Sequence, residues 1–234
     1  MSRKTIMIGL CVSVLILALL LSLGQNNRFA QARQARTARP VPDEEGFYSL
    51  FDSKTFNGWK ISEEEQGTFK IQDGAIVANG RRSHCFYVGQ VENALFKNFE
   101  LKVDVMTKPK SNGGVYFHTQ YQEVGFPAKG FEVQVNNSGS DRKRTGGLYN
   151  IMDIMDDSPA KDDVWFTEHI IVNGKRIIIK VDGKTVVDYT EPDVPIPPKG
   201  MLGRVLNMGT FALQGHDPGS TVYYKNIMVK PLPW

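Results

Sequence analysis

Cysteine is nearly missing from this chain, which has only Cys11 and Cys85. Cys11 falls inside an apolar run near the start, so Cys85 is the one cysteine of the folded part. No disulfide can form there, and the domain must stand on its core alone. Cys85 itself reads as a small buried hydrophobe rather than a reactive thiol. Charge of one sign is also scarce. The formal net charge is +3, and Arg28, Arg33, Arg36 and Arg39 sit together in one short stretch. What remains is near neutral, and nothing in it suggests a nucleic-acid surface. After residue 25 no segment carries the apolar period of a helix, apart from a short turn at Val91 to Phe96. The chain is nevertheless not disordered throughout, because 41% of its 234 residues are hydrophobic and 23% charged, as in ordinary globular domains.

What is present begins with M-S-R-K-T and an uncharged apolar run from Ile6 to Leu23. A basic head before such a run reads as an export signal or a membrane anchor. The run is at the lower limit for a bilayer-spanning helix, so length does not separate the two. Residues 1–24 are expected to be a signal peptide or anchor, an apolar helix ahead of the fold, with cleavage candidates at Ser22-Leu23-Gly24 and Ala30-Gln31-Ala32. Arg3 and Lys4 favour a cytoplasmic N-terminus for an uncleaved run, and the four downstream arginines weaken that vote. Either way the domain is expected to be exported: periplasmic, extracellular or membrane-anchored facing outward, meeting a membrane only through this segment. Residues 25–45 lack apolar periodicity and read as a flexible linker, leaving 46–234 as the folded domain.

From Gly46 onward, short apolar runs alternate with turn residues. Asp73-Gly74, Asn173-Gly174 and Asp182-Gly183 each split two such runs, and these dipeptides supply the positive φ angles of tight hairpins. Residues 68–78 are thus one hairpin and 167–189 a meander of three strands. E-L-K-V-D-V (100–105), V-Y-F-H-T-Q (115–120) and T-V-Y-Y-K-N-I-M-V (221–229) are further strands. Around a dozen short strands without interleaved helices argue for an all-β antiparallel sandwich.

In F-E-V-Q-V-N (131–136) the alternation sends Phe131, Val133 and Val135 to the core and leaves Glu132, Gln134 and Asn136 together on the other face. By the same rule Tyr116, His118 and Gln120 share one face of their strand, and Gln214 faces out just before Gly215, His216 and Asp217. Gly146-Gly147-Leu148-Tyr149 is a strand lightened by glycine, where a ligand or another backbone can approach closely. Each group taken alone has a plain structural reading: a satisfied strand histidine, a solvated carboxylate, surface amides. Together the amides, aromatics and imidazoles are what a sugar-binding groove needs, directional partners for hydroxyls and flat surfaces for ring faces. Two weaker patterns are the glycosylation tripeptide Asn136-Asn137-Ser138 and an acidic run, Asp153, Asp156, Asp157, Asp162 and Asp163, whose spacing fits a solvated loop better than a calcium loop.

These stretches resemble the 3-keto-disaccharide hydrolase domain family. The resemblance runs in order from G-F-Y-S-L-F-D-S-K-T-F-N-G-W-K at 46–60 through N-G-G-V-Y-F-H, G-F-E-V-Q-V and T-G-G-L-Y to F-A-L-Q-G-H-D-P-G-S-T-V-Y-Y-K-N-I, covering essentially 46–232. It implies a concanavalin-A-like jelly roll of two antiparallel sheets and cleavage of glycosides already oxidised at C3. Such a reaction needs a base for the C2 proton, an acid for the leaving oxygen and a group that stabilises the enolate. The paired carboxylates of retaining glycosidases are absent, since Gln134 and Asn137 stand where they would fall after Glu132.

The resemblance makes Glu132, Gln134, Gln214 and His216 candidates, and where the family commonly ends a strand in arginine this chain has Tyr116-Phe117-His118. The expectation is Glu132 or His118 as base and His216 as proton donor or metal ligand, with Tyr116, Gln120, Gln134, Asn136, Tyr149, Gln214 and Asp217 binding a carbohydrate substrate. No cofactor is certain; a divalent metal ion has room in this scheme but no assigned ligands. The competing readings are a non-catalytic, lectin-like carbohydrate-binding module tethered at the cell surface, and a tethered structural domain whose groove is vestigial.

Overall fold

The structure, a computed structural model, describes residues 40–234. The apolar run, the expected N-terminal helix and the linker up to residue 39 lie outside the described residues. Among the described residues no helix is long and apolar enough to cross a membrane.

The strands in chain order are β1 (Tyr48–Ser49), β2 (Trp59–Ile61), β3 (Phe69–Gln72), β4 (Ala75–Ala78), β5 (Ser83–Tyr87), β6 (Phe99–Thr107), β7 (Gly113–Thr119) and β8 (Phe131–Val135). They continue as β9 (Lys143–Leu148), β10 (Met152–Met155), β11 (Phe166–Asn173), β12 (Arg176–Val181), β13 (Lys184–Thr190), β14 (Thr210–Gly215) and β15 (Val222–Pro231). One sheet runs β13-β12-β11-β6-β15-β4-β3, with β1 beside β15, and the other runs β10-β9-β8-β7-β14-β5-β2. The protein is therefore an all-β sandwich of two antiparallel sheets.

Local chemistry accounts for the turns. Asp73 and Gly74 (φ +50° and +75°) and Asp182 and Gly183 (φ +48° and +77°) take the positive angles of two-residue hairpins. The third turn is displaced by one residue from the Asn-Gly expectation. Asn173 pairs with Arg176, so the central residues are Gly174 and Lys175, with Gly174 at φ +59°. Glycine at the first central position makes this the other hairpin turn, and Asn173 closes the strand.

Between the sheets, Phe99, Leu101, Val103 and Val105 of β6 meet Val115, Phe117, Val133 and Leu213 of the facing sheet. The rings of Phe117 and Phe131 stack at 5.3 Å. Cys85 is buried in this core, and burial raises its thiol well above the usual range, so it stays protonated and inert.

In β7, β8 and β14 every residue is buried, polar positions included. Their inner side chains face the core, and their outer ones lie under two connecting segments, residues 120–130 and 199–209. The Lys129–Gly203 backbone bridge and a bond from the Gly130 N–H to the Gly203 carbonyl at 2.9 Å join these segments. A side chain at 203 would run into the Ala128 carbonyl, so the close approach requires glycine.

Strand β7 is also irregular. Thr210 pairs with Thr119 but Ala212 with Tyr116, so β7 has one residue more than its partner over that span. His118, at φ +55°, sits at this bulge and breaks the alternation.

One core residue is chemically out of place. Glu168 of β11 points inward between Val103 and Val181, fully buried, with no side chain paired to its carboxyl group and only the Gly146 backbone N–H acting on it. Burial raises its pKa well above the ordinary 4.5, holding it as the neutral acid. Unfolded chains ionise this group above about pH 4.5 whereas the folded chain keeps the proton, so stability falls as pH rises from there toward the raised folded-state value. Glu168→Gln, neutral at every pH, should flatten that fall, and its gain in Tm over the parent should be larger at pH 8 than at pH 4.5. An equal Tm difference at both would refute a protonated Glu168.

Candidate active site

Tyr116 of β7 and Glu132 of β8 are register partners, and Gln214 lies across β7 on β14. All three project from the outer face of their sheet. The Tyr116 hydroxyl donates to Glu132 Oε2 at 2.7 Å, and Arg204, from the covering segment, donates through Nη2 to the same oxygen at 2.9 Å. Gln214 Nε2 donates to Glu132 Oε1 and to the Tyr116 oxygen, both at 3.1 Å. Glu132 and Arg204 are 5% and 7% exposed, so this is a buried ion pair. Taking both charges out of water is costly, and the added donors offset that cost. Burial, then the adjacent Glu132 charge, raises the Tyr116 phenol well above its ordinary value, so it remains a neutral donor.

Two atoms of the cluster are buried without a protein partner: Arg204 Nη1, a donor, and Gln214 Oε1, an acceptor. Both residues line a cleft of about 670 Å³ whose floor also includes Gln134 and Asn112, linked at 3.2 Å. Phe126, Pro127, Met201 and Leu202 from the two covering segments form an apolar wall. Gly114 leaves room for the carboxylate, since a Cβ there would stand 2.8 Å from Glu132 Oε1.

At the end of β14, His216 reaches the same cleft. Its Nδ1 lies 2.8 Å from Asp217 Oδ2, which also accepts from Ser220 Oγ at 2.8 Å. A carboxylate facing Nδ1 makes that nitrogen the donor and leaves Nε2 as the reactive one. Burial would raise the Asp217 pKa, but hydrogen bonds from His216, Ser220 and the Gly219 N–H outweigh it and hold the carboxyl below its ordinary value. Tyr149 lines the cleft with Lys143 Nζ 4.1 Å from its ring centre.

Glu132, Tyr116, Gln134, Gln214, Tyr149 and His216 are therefore brought together. The other candidates are not. His118 was expected on the face of Tyr116, but the bulge turns it away, against Phe99 and Phe117. Its Nε2 lies 2.8 Å from the Lys97 carbonyl and Nδ1 accepts the Asn207 N–H at 3.3 Å. Burial pushes its pKa down to about 4, and it is a neutral bracket for the chain rather than a base in the cleft. Gln120, past the bulge, is exposed and accepts from Lys129 at 3.0 Å.

Asn136 is fully buried and organises the β8–β9 connection, donating to the Asp141 and Lys143 carbonyls at 3.0 and 2.8 Å, so the glycosylation tripeptide is closed to solvent at its asparagine. Asp217 acts on His216 without lining the cleft. Gly146 and Gly147 clear space for Val181, Val186 and the β10 backbone rather than for a ligand. The acidic run is dispersed among separate partners, Asp153 with Lys143, Asp156 with Arg142 and Asp163 with Lys108. Among the described residues no group of three or more His, Cys, Asp or Glu is placed to hold a metal ion.

Sequence reasoning missed Arg204 and Asn112. Arg204 lies in M-L-G-R-V-L, where the only signal is a single charge in an apolar loop. It supplies from a loop the cation that the resemblance leads one to seek on β7.

Residues 46–230 match the family model described as the 3-keto-alpha-glucoside-1,2-lyase-like domain. A 3-keto-disaccharide hydrolase of Bacteroides thetaiotaomicron is 23% identical over 172 residues, 63% of this chain; the match spans 59% of that protein's length. Among solved structures, an inferred glycosyl hydrolase of Parabacteroides distasonis superposes with TM-score 0.69 at 20% identity, over 82% of this chain and 98% of that one. The carbohydrate binding module CBM66 of Bacillus subtilis gives 0.53 at 15% identity, over 74% and 96%. At these identities the structures share the fold.

Removing the cation from the buried pair should be costly. Arg204→Met is expected to lower unfolding stability in urea at pH 7 by about 3 to 5 kcal/mol, because Glu132 is left as a buried charge. Adding Glu132→Gln should restore much of the loss. Strictly additive losses would mean that the two groups are not coupled.

Proposed function

Because the chain belongs to the family of 3-keto-alpha-glucoside-1,2-lyase-like domains, we propose that it cleaves 3-keto-glycosides by elimination and hydration. The single observation that carries this reading is a cleft in which one strand carboxylate, Glu132, lies beside an unpartnered arginine donor, with a histidine–aspartate pair opening onto the same space. No second carboxylate stands on β8 to make a retaining pair. Gln134 is on the cleft floor, and Asn137 is engaged by Thr107, Thr145 and Ser158. The cleft's other acid, Asp141, comes from the β8–β9 connection and accepts the Lys143 N–H at 3.0 Å.

The chemistry assigns each group a task. A ketone at C3 acidifies the C2 hydrogen. Glu132 takes that proton through Oε1, the oxygen that holds one donor where Oε2 holds two. The electron pair moves toward the C3 oxygen, where Arg204 Nη1 supplies a donor to the growing enolate charge. The pair then returns to form the C1–C2 double bond as the C1–O bond breaks, and His216, entering this step protonated on both ring nitrogens with Nδ1 held by Asp217, delivers its Nε2 proton to the departing oxygen. Water adds to the resulting enone at C1, a proton returns to C2, and the sum is hydrolysis. Gln214 Oε1, Gln134 and Asn112 bind sugar hydroxyls. The apolar run Ile6–Leu23 supports placing this activity outside the cytoplasm, on an exported or membrane-anchored domain.

A second reading has one observation in its favour. Glu132 is held by three donors, an arrangement that also suits an acceptor for a bound hydroxyl in a lectin-like module.

Turnover of a 4-nitrophenyl 3-keto-glucoside in deuterated water separates the two. Elimination and hydration must place one deuterium at C2 of the released sugar faster than the free product exchanges its own. Cleavage without that label would sink the mechanism, and binding without cleavage would favour the module. Glu132→Gln should lower kcat by roughly 100- to 10,000-fold. His216→Ala should hurt a poor alcohol leaving group far more than nitrophenolate, which departs without a proton.

A further inference from the structure

One buried polar group takes no part in the chemistry above. His84 of β5 is the register partner of Gln214 on β14, next to the pair Cys85 and Leu213. Cys85 and Leu213 face the core, so His84 and Gln214 stand on the outer face, the side of the cleft. The imidazole is fully buried there, with the ring centres of Tyr116, Phe126 and Phe86 at 5.5, 5.8 and 6.1 Å from its own. Its main chain is paired with Ser62 at 2.8 and 3.2 Å, but neither ring nitrogen has a hydrogen-bond partner. Burial pushes its pKa down to about 3, so the ring is neutral, with one N–H and one bare nitrogen.

An acceptor in the same condition lies beside it. Gln214 gives its Nε2 hydrogens to Glu132 Oε1 and to the Tyr116 oxygen, both at 3.1 Å. A carboxylate only accepts, so this end of the amide is the NH2 group. Glu132 and Tyr116 lie on the β7–β8 side of β14 and His84 on the other. Turned toward the first two, the amide turns its oxygen away from them, and Gln214 Oε1 is buried without a partner. A box of three aromatic rings would be filled as well by phenylalanine, at no cost in buried polar atoms. An imidazole in that place is explained by use of its N–H.

We propose that His84 is a positioning residue for Glu132, acting through Gln214: a turn of the imidazole in its aromatic box carries the ring N–H to Gln214 Oε1, and that bond fixes the amide whose other end holds the carboxylate. The turn breaks no hydrogen bond, since the ring makes none. The Gln214 oxygen has two lone pairs, so the imidazole occupies one and leaves the other for a sugar hydroxyl. His84 itself touches neither the carboxylate nor the sugar. The inference rests on the reading of Glu132 as the base, and the bond between His84 and Gln214 can be judged apart from that reading.

Two measurements on the full chain test it. In the first, the histidine rings are labelled with nitrogen-15 and the His84 N–H proton is assigned by its loss in His84→Phe. It should resonate in the hydrogen-bonded range and move upfield in Gln214→Leu. A resonance unmoved by Gln214→Leu overturns the proposal, whether or not any substrate is turned over. In the second, His84→Phe, which fills the box without a donor, should lower kcat for a 3-keto-glucoside by roughly five- to tenfold, the worth of one neutral hydrogen bond, with KM changed by less than about twofold. His84→Asn and His84→Gln keep an N–H at the reach of Nδ1 and of Nε2, and one of the two should recover most of the loss. In the Gln214→Leu background His84→Phe should cost nothing further. An equal cost in both backgrounds, or the same cost from all three His84 variants, would make the residue purely structural and end the proposal. No turnover by the parent, with the His84 resonance still tied to Gln214, would sink the reading of the cleft and keep the bond.

Discussion

The ion pair between Glu132 and Arg204 joins a strand of the sandwich to the segment that covers it. A charge under 10% exposed survives only in company, and the company here comes from three directions: Tyr116 from the next strand, Gln214 from the strand beyond, Arg204 from above. Each donor would be hard to explain without the carboxylate, and the carboxylate would have no partners in this place without them. The contact that makes the cleft floor polar is thus also the contact that closes the cover over it.

Two buried glutamates show how much depends on that company. Glu132 and Glu168 are both on central strands and both shielded from water. Glu132 faces outward, meets a cation and keeps lone pairs directed at a cleft. Glu168 faces inward among Val103 and Val181, meets no cation and keeps its proton. Position on one side or other of a sheet, a matter of a single residue in register, puts one at a polar cleft and the other in an apolar core.

That dependence marks the line between what the amino-acid pattern discloses and what it withholds. The hairpins at 73–74 and 182–183 were legible because their angles are local properties of Asp-Gly. The alternation in F-E-V-Q-V was legible because β8 is regular, and it put Glu132 and Gln134 on the correct face. His118 was misplaced because one additional residue in β7 relative to β14 is a fact about two strands distant in sequence, invisible in either alone. Asn136 follows the period but is claimed by the carbonyls of the next turn, which only the folded connection supplies. Arg204 has no period at all, since a loop sets its direction by where its ends are pinned. Its identity as the cation of the site emerges only when residues 72 positions apart are seen to touch.

The backbone bridge between the two covering segments, at Lys129 and Gly203, has an evolutionary consequence. Loops are ordinarily the part of a sandwich free to lengthen or shorten without reference to one another. These two are joined at the foot of the first, just before β8, and at the middle of the second, with glycine demanded at the crossing, so the stretch from Gly203 to β14 has a fixed distance to span. The length of that stretch is therefore the constrained one. Diversification of the cleft's roof should proceed by exchanging side chains such as Phe126, Met201 and Leu202 along a constant backbone, while indels accumulate at the opposite, unspliced ends of the sandwich.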